Sequence, residues 1–411
     1  MKQRLSGFLT AGLLLATVFS IPAAAGDWPG WRGPNRDGKS TDTGLLKAWP
    51  AGGPEPLWAY EDLGKGFSSM AIVKDTVYTT GDVDSNLVIF ALDTKGQLKW
   101  KAVQGPVWTA PHGGARSTPV VDGDRLYLIG GYGLLTCHST ADGKLVWKRD
   151  LRKDFEGKHG TYGYVESPLI VDNMVIATAG GKTALVALDK VTGEDVWQSQ
   201  CDAEVYFERY SSPIVIREKT GAIIVQGFGS GLVAVNAKDG KKVWSDGFSA
   251  NNEANITDPA YADGYLFWAN AYGKGGICFK VDCKDGVWTF TEAWRTRDMM
   301  CHIGGYVIDK GFIYGSHHVG WSCLDLKTGA KKWNQRGVGK GSLTFADGML
   351  YLFSEQGGKL GLAAASPDGF TMSGETEVAG TGTSWACPAI ANGRLYVRYD
   401  TTLYCFDVAA K

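Results

Sequence analysis

Residues 187–197 read ALDKVTGEDVW, and close copies of this phrase recur along the chain. In the clearest copies an apolar run ends in Asp or Asn, a glycine follows, and a tryptophan stands four residues after the glycine. The Asp or Asn side chain can accept hydrogen bonds from turn N–H groups and the glycine can adopt a positive φ, so the phrase predicts a hairpin whose second strand carries the tryptophan. The repeated tryptophans are Trp58, Trp100, Trp147, Trp197, Trp244, Trp294 and Trp333, at intervals of 39 to 50 residues.

A second phrase marks the innermost strand of each unit: a small polar residue, Pro or an equivalent, and three apolar residues. Its clearest copy is Thr118-Pro119-Val120-Val121-Asp122-Gly123. A repeat period in the forties with about four short strands is typical of a β-propeller. The sequence therefore predicts an all-β fold, a single eight-bladed β-propeller of four-stranded antiparallel blades. The eight copies begin at Ser69, Thr118, Ser167, Ser212, Asp258, Gly305, Ser342 and Cys387.

The two ends of the chain predict how the ring closes. The last unit stops after Asp407, before any outer strand, whereas residues 56–60 read as an outer strand with no inner strands before it. We expect the N-terminal strand to pair with the last blade, so that removing residues 54–62 destabilises the whole ring. The seventh unit, near residues 367–369, lacks the tryptophan. The expected boundaries are a signal peptide at 1–25, an N-terminal extension at 26–53 and the propeller at 54–411.

The first 25 residues differ in composition from the rest. Lys2 and Arg4 precede an apolar run over residues 8–21, and Ala23-Ala24-Ala25 offers small residues for cleavage, as in a secretory signal peptide. A transmembrane anchor is the alternative, but the run is short for one. We expect an exported protein, periplasmic or extracellular, with no membrane anchor. The 42 basic and 43 acidic residues leave a net charge of −1, which gives no global case for nucleic-acid binding.

The cysteine positions argue against most disulfides. Cys137, Cys278, Cys323 and Cys405 occupy the same strand position in different units, and equivalent positions in separate blades are too far apart to bond. These four are expected to be small core residues. Cys387 takes the small-polar position of the second phrase, and the pairing of Cys201, Cys283 and Cys301 is left open.

The first phrase resembles the tryptophan-docking repeat of the propellers of the pyrroloquinoline-quinone (PQQ) type, and the resemblance covers nearly all of the chain after residue 25. That superfamily includes eight-bladed quinoprotein alcohol dehydrogenases and exported propellers without a quinone, such as the outer-membrane assembly lipoprotein. The stretch DWPGWRGPNRDG, residues 27–38, is similar to the leader of exported quinone-like propellers. The chain lacks the dehydrogenases' adjacent cysteine pair, any C-x-x-C-H haem motif, and the lipid-bearing cysteine of the lipoprotein.

The loops that lead into the inner strands give the candidate binding residues. If PQQ and Ca²⁺ were bound, as the resemblance allows, Arg116 and Arg209 would hold the quinone carboxylates. Glu166, Asn255 and Asp258 would surround the calcium ion. The alternative is that these polar residues satisfy one another at a solvated funnel mouth.

Three histidines fall in the sixth unit. His302, His317 and His318, with Cys301 beside the first, are candidate ligands for zinc or copper. The alternative is that Cys301 and His302 simply pack, and that the adjacent His317 and His318 point in different directions.

No hydrolase or phosphate-binding motif occurs. The leading hypothesis is thus a binding or assembly scaffold with an unknown protein or small-molecule ligand at the funnel mouth. The alternative is a short quinoprotein alcohol dehydrogenase that depends on PQQ and calcium.

Overall fold

A computed structural model describes residues 26–200 and 208–411 of the chain. The expected signal peptide and Cys201 lie outside these residues. Within them the strands form eight four-stranded antiparallel sheets, arranged as the blades of a β-propeller, which confirms the predicted fold. Each copy of the second phrase lies at the beginning of the innermost strand of a blade.

Blades 1 to 4 consist in turn of β2 (Ala71–Val73), β3 (Thr76–Val83), β4 (Asn86–Asp93) and β5 (Leu98–Pro106); β6 (Val120–Asp122), β7 (Arg125–Ile129), β8 (Leu134–Ser139) and β9 (Leu145–Asp150); β10 (Leu169–Val171), β11 (Met174–Thr178), β12 (Thr183–Asp189) and β13 (Asp195–Gln200); and β14 (Ile214–Glu218), β15 (Gly221–Phe228), β16 (Gly231–Asn236) and β17 (Lys242–Asp246). A short helix, α1 (Leu151–Asp154), follows β9.

Blades 5 to 8 consist of β18 (Ala260–Ala262), β19 (Tyr265–Asn270), β20 (Gly275–Lys284) and β21 (Val287–Thr296); β22 (Tyr306–Asp309), β23 (Phe312–His317), β24 (Gly320–Asp325) and β25 (Lys331–Gln335); β26 (Gly341–Ala346), β27 (Met349–Ser354), β28 (Lys359–Ala364) and β29 (Met372–Glu377); and β30 (Ala389–Ala391), β31 (Arg394–Tyr399), β32 (Thr402–Asp407) and β1 (Glu55–Tyr60). Strand β1 pairs antiparallel with β32 from Glu55↔Asp407 to Tyr60↔Leu403, so the predicted closure of the ring is confirmed.

The repeated tryptophans dock each blade onto the next. Trp147 Nε1 donates to the carbonyl of Lys190, 3.1 Å away in the following blade, and its ring lies against Gly193. A Cβ on Gly193 would lie 2.8 Å from that ring, and the φ of 76° also favours glycine. The phrase therefore needs its glycine for the turn and for the close approach. The indole N–H groups of five further tryptophans donate in the same way to a backbone carbonyl of the next blade: Trp58 to Thr94, Trp100 to Thr140, Trp197 to Ala237, Trp294 to Leu326 and Trp333 to Ser366.

Two tryptophans depart from the expected scheme. Trp58 not only completes the last blade but also docks onto the first, through the bond to Thr94. Trp244 instead stacks on Phe290 of β21, with ring centroids 4.2 Å apart and planes at 9°. The β20–β21 hairpin is longer than its equivalents, and its Phe290 supplies the surface that a glycine turn supplies elsewhere.

The tryptophan that the seventh unit lacks is replaced by Trp49, from the N-terminal extension. Trp100, Trp147 and Trp333 each pack on a tyrosine in their own blade at centroid distances of 5.9 to 6.1 Å, and Trp49 packs on Tyr351 of β27 at 6.2 Å. Trp49 belongs to the apolar cluster between blades 7 and 8, where it also lies against Gly374. The core is a ring of such clusters, each shared by two neighbouring blades.

The second phrase builds a hydrogen-bonded arc around the channel, through blades 1 to 5. Backbone N–H groups donate to the side chain at the equivalent position of the next blade: Ser69 to Thr118 (3.0 Å), Thr118 to Ser167 (3.0 Å), Ser167 to Ser212 (3.1 Å) and Ser212 to Asp258 (2.6 Å). The repeated Ser or Thr therefore satisfies a backbone group that would otherwise be buried without a partner.

All seven cysteines in the described part of the chain are free thiols, namely Cys137, Cys278, Cys283, Cys301, Cys323, Cys387 and Cys405. The four at the equivalent strand position are buried, as expected for core residues. No helix within residues 26–200 or 208–411 is both long and apolar enough to cross a membrane.

A candidate binding funnel closed by the N-terminal segment

Residues 26–53, expected as an extension, are built into the propeller. Trp28 forms a pair of 2.7 Å backbone hydrogen bonds with Ile72 of blade 1. Farther along, Lys39 bridges to Phe345 of blade 7 and Leu45 to Ala409, just beyond β32. These attachments join the segment to blades 1, 7 and 8, which are neighbours in the ring.

Between these attachments, residues 27–38 fill the channel, and we call them the plug. Trp31 Nε1 donates to the carboxylate of Asp258 in blade 5. The Arg32 guanidinium donates to the carbonyls of Gly304, at 2.8 Å, and Tyr306 at the start of blade 6. The Arg36 guanidinium donates to Ser167, at 2.9 Å, and Pro168 in blade 3. Because these contacts reach three separate inner strands, the plug closes the channel from within.

The plug contacts two of the inner-strand positions at which the usual Ser or Thr is replaced, namely Asp258 and Gly305. Asp258 is the one charged residue among the eight equivalent positions, and its second oxygen takes the Trp31 bond. Gly305 has no side chain, and a Cβ there would lie 3.1 Å from Arg32 Nη1. The side chains of the plug and the composition of the inner ring are therefore complementary.

We expect Arg36→Ala to destabilise the protein by about 2–4 kcal/mol, because it leaves a void and two buried carbonyls without donors. Burial lowers the pKa of Arg36 to about 10, so the side chain is charged at neutral pH. Arg36→Met fills the same space without donors and separates the two effects. Denaturant midpoints are the measurement; an Arg36→Ala protein as stable as wild type would show that the plug is not needed for stability.

Above the plug lies a cavity of about 330 Å³, within the range of small-molecule sites. Its floor includes Trp31, Arg32 and Asp258, and its walls come from the loops that enter the inner strands, with Tyr272 from the β19–β20 loop. The other lining residues are Phe67, His112, Arg116, Tyr162, Val165, Ser167, Tyr210, Ser212, Ala254, Ile256, Thr257, His302, Ile303, Gly304, Gly305 and Trp385.

Five rings form a continuous aromatic belt along one wall. In order they are Phe67, Trp385, His112, Tyr162 and Tyr210, with successive centroids 4.6, 5.0, 5.4 and 5.3 Å apart. The Arg116 guanidinium donates to the carbonyls of His112 and Tyr162 and so joins the loops that carry the middle of the belt. The sequence identified Arg116 but not the belt, whose five rings come from five separate loops.

A polar network lies on the opposite wall. His302 Nε2 is 2.9 Å from the Tyr272 hydroxyl, and His302 Nδ1 is 3.4 Å from the Glu355 carboxylate. Glu355 also receives Lys340 Nζ at 2.6 Å and Trp385 Nε1 at 3.0 Å. Burial would raise the pKa of Glu355, but the hydrogen bonds from His302, Lys340 and Trp385 hold it down at about 2.

This network predicts a loss of stability in acid. The pKa of Glu355 is lower in the folded than in the unfolded protein, so its contribution is present above about pH 4.5 and is lost as the pH falls towards 2. We expect wild type to lose up to about 3 kcal/mol more than Glu355→Gln between pH 5 and 2. Thermal melts at both pH values measure this difference, and equal losses in the two proteins would contradict the assignment.

The structure places two of the five expected quinone and calcium residues at the cavity. Arg116 and Asp258 line it, whereas Glu166, Arg209 and Asn255 lie behind the wall, each less than 3% exposed. These three would have to reach through the wall to contact a ligand in the cavity.

The residues present do not fit a PQQ and calcium site. Both Asp258 oxygens are taken by the Trp31 and Ser212 N–H groups, and the Asn255 side chain bonds to Asn251 and Glu208. All three Arg116 nitrogens donate to backbone carbonyls. Asp258, Asn255 and Arg116 are thus already used by the protein, and Glu166 lies buried behind the wall, so the cavity offers no ready place for PQQ and calcium.

The three expected metal-binding histidines have separate surroundings. His302 joins the funnel network, whereas His317 Nδ1 accepts from the N–H of Met300, 3.1 Å away. The His318 ring lies 4.6 Å from that of His317, with planes at 61°. Among residues 26–200 and 208–411, no group of three His, Cys, Asp or Glu side chains is arranged to hold a metal ion.

Comparison with known proteins gives one family. The sequence model PQQ_2, described as outer membrane protein assembly factor BamB, matches residues 85–335. A curated relative, the outer membrane protein assembly factor BamB of Kangiella koreensis, is 28% identical over 141 residues, which are 32% of this chain and 32% of the relative. The chain therefore matches about a third of that relative's length.

Solved structures share the fold. BamB from Moraxella catarrhalis superposes with a TM-score of 0.62 at 15% identity, over 87% of this chain and 98% of that one. A quinohemoprotein alcohol dehydrogenase from Comamonas testosteroni gives 0.67 at 14% identity, over 95% and 82%. At these identities the similarity concerns the fold alone. Because the family model covers more than half of the sequence, the chain belongs to the PQQ-like propeller family described as outer membrane protein assembly factor BamB.

Proposed function

We propose that this chain is an exported propeller that binds a ligand or partner at the mouth of its funnel and serves as a binding or assembly scaffold. In this proposal residues 1–25 direct export and residues 26–411 form the working protein. The observation that carries it is the cavity: it is open to one side, closed below by the plug, and walled by aromatic side chains. Aromatic walls with a few polar groups are characteristic of recognition sites.

Membership of this family also supports a scaffold role. The curated relative is named an outer membrane protein assembly factor, and an assembly role for this chain extends that name. The quinoprotein alternative is supported by the similarity in fold to a quinohemoprotein alcohol dehydrogenase. No side chain of the funnel favours it, since its expected calcium ligands are engaged or lie behind the wall.

Site-specific crosslinking tests the proposal. A photoreactive phenylalanine analogue at Tyr162, in the belt, is compared with the same analogue at Tyr261, which lies outside the cavity lining. In cells that export the protein, we expect ultraviolet-dependent adducts from Tyr162 and few from Tyr261. Equal yields at both positions, or none at Tyr162, would reject the funnel as the binding face.

A further inference from the structure

The charged groups of the funnel indicate what kind of ligand it takes. The lining contains Arg32, Arg116 and Asp258. Both terminal nitrogens of Arg32, all three Arg116 nitrogens and both Asp258 oxygens already form hydrogen bonds within the protein. An ionic ligand would lose its hydration without finding a counter-charge that is free to pair with it. The chemistry of the lining therefore favours a neutral ligand.

Tyr272 presents a hydroxyl at the funnel mouth. It is 47% exposed, and its φ of 55° places a bulky residue in the left-handed region, at a cost of about 1–2 kcal/mol. Tyr272 and Gly273, whose φ is 77°, are the central residues of the tight β19–β20 turn, which is closed by the Lys274 N–H donating to the Ala271 carbonyl at 3.2 Å. The turn holds the Tyr272 hydroxyl 2.9 Å from His302, whose other nitrogen faces the Glu355 carboxylate.

That network fixes the direction of the Tyr272 hydroxyl. A carboxylate only accepts, so the contact with Glu355, 3.4 Å from Nδ1, favours the tautomer with the proton on Nδ1; in that tautomer the opposite nitrogen accepts from Tyr272. The hydroxyl proton of Tyr272 is thereby used, and its oxygen lone pairs remain for a donor on the ligand. On the floor, the Ser167 and Ser212 hydroxyl oxygens each accept a backbone N–H, which leaves their protons to donate.

We propose that the funnel binds a neutral saccharide, with Tyr272 as a specificity-determining residue. A sugar ring presents apolar C–H faces, which can stack on the aromatic belt. Its edge carries hydroxyls, which can donate to the Tyr272 oxygen and accept from the Ser167 and Ser212 hydroxyls on the floor. The cavity holds rings of this size. This inference rests on the proposed binding function and adds the class of ligand.

Isothermal titration calorimetry tests the inference with a panel of neutral glucose, galactose and mannose disaccharides, glucuronate as a charged sugar, and N-acetyl-tryptophanamide as a stand-in for a protein side chain. We expect saturable binding of at least one neutral disaccharide. Tyr272→Phe should weaken it about 3- to 10-fold through loss of one hydrogen bond. Tyr261→Phe removes a hydroxyl that is bonded to Glu218, outside the cavity lining, and should leave the affinity unchanged.

Three results would overturn the saccharide inference: no binding of any neutral sugar, preferential binding of glucuronate or of the tryptophan amide, or sugar binding that is the same in wild type and Tyr272→Phe. Tyr272→Phe changes a single exposed oxygen, so loss of the fold does not obscure the answer. Crosslinking from Tyr162 reports separately on the binding function. Adducts there without sugar binding would leave the scaffold proposal standing and reject only the saccharide.

Discussion

Replacing residues 54–62 by a Gly/Ser segment of the same length is expected to lower the free energy of unfolding by at least about 3–5 kcal/mol, because it removes a partly buried tryptophan together with a whole strand. The replacement removes β1, whose backbone pairs with β32 along its length, and Trp58, which docks onto the first blade. Without them the last blade has three strands and an unpaired edge. Thermal unfolding measures the effect, and the unchanged length keeps the N-terminal segment connected.

Leu57→Ser is the matched control for this prediction. Leu57 lies in β1 beside Trp58 but is 42% exposed, so the substitution should change stability by no more than about 0.5 kcal/mol. If the Gly/Ser protein melted with the wild type, the N-terminal strand would not be what closes the ring.

Trp49→Ala is expected to cost about 3–5 kcal/mol, as much as Trp147→Ala, although only Trp147 belongs to the repeat. Trp49 is 7% exposed and Trp147 is 9% exposed, and each packs on a tyrosine in the corresponding strand of its blade. Both substitutions remove a buried indole from a blade interface, although only Trp147 also donates a hydrogen bond, from Nε1 to the Lys190 carbonyl. Denaturant midpoints compare them directly.

Val146→Ala provides the baseline for this pair. Val146 precedes Trp147 and is 43% exposed, so we expect a change within about 0.5 kcal/mol. A Trp49→Ala protein that matched this baseline would show that the interface between blades 7 and 8 is stable without the missing tryptophan. The N-terminal segment would then be a covering rather than part of the core.

The repeat made the fold predictable. The Asp, Gly and Trp of each phrase act within a hairpin or on the next blade, so their spacing reveals the contacts that they make. The closure by residues 56–60 followed from the same counting, because an outer strand without inner strands matched a blade without an outer strand. Local periodicity and nearest-neighbour contacts carry this information, and both can be read along the chain.

The N-terminal segment was not predictable in the same way. The segment is rich in aromatic and guanidinium side chains, namely those of Trp28, Trp31, Arg32 and Arg36, and this composition is a signal of burial. Their hydrogen-bond partners, however, lie up to 274 residues away along the chain. The segment has no strand periodicity, and its bonds go to carbonyls at the ends of inner strands. No spacing rule relates such contacts to the sequence.

The candidate site also has one part that the sequence predicts and one part that it does not. The sequence by itself determined which loops face the funnel, and it identified Arg116 and Asp258 as polar residues there. It did not reveal that Asp258 is used by the plug or that Tyr272 completes a network with His302. Blade repeats are encoded locally, because each unit repeats the same short-range contacts. The chemistry of the funnel was decided by the tertiary structure, since only ring closure brings single residues of different blades within hydrogen-bonding distance.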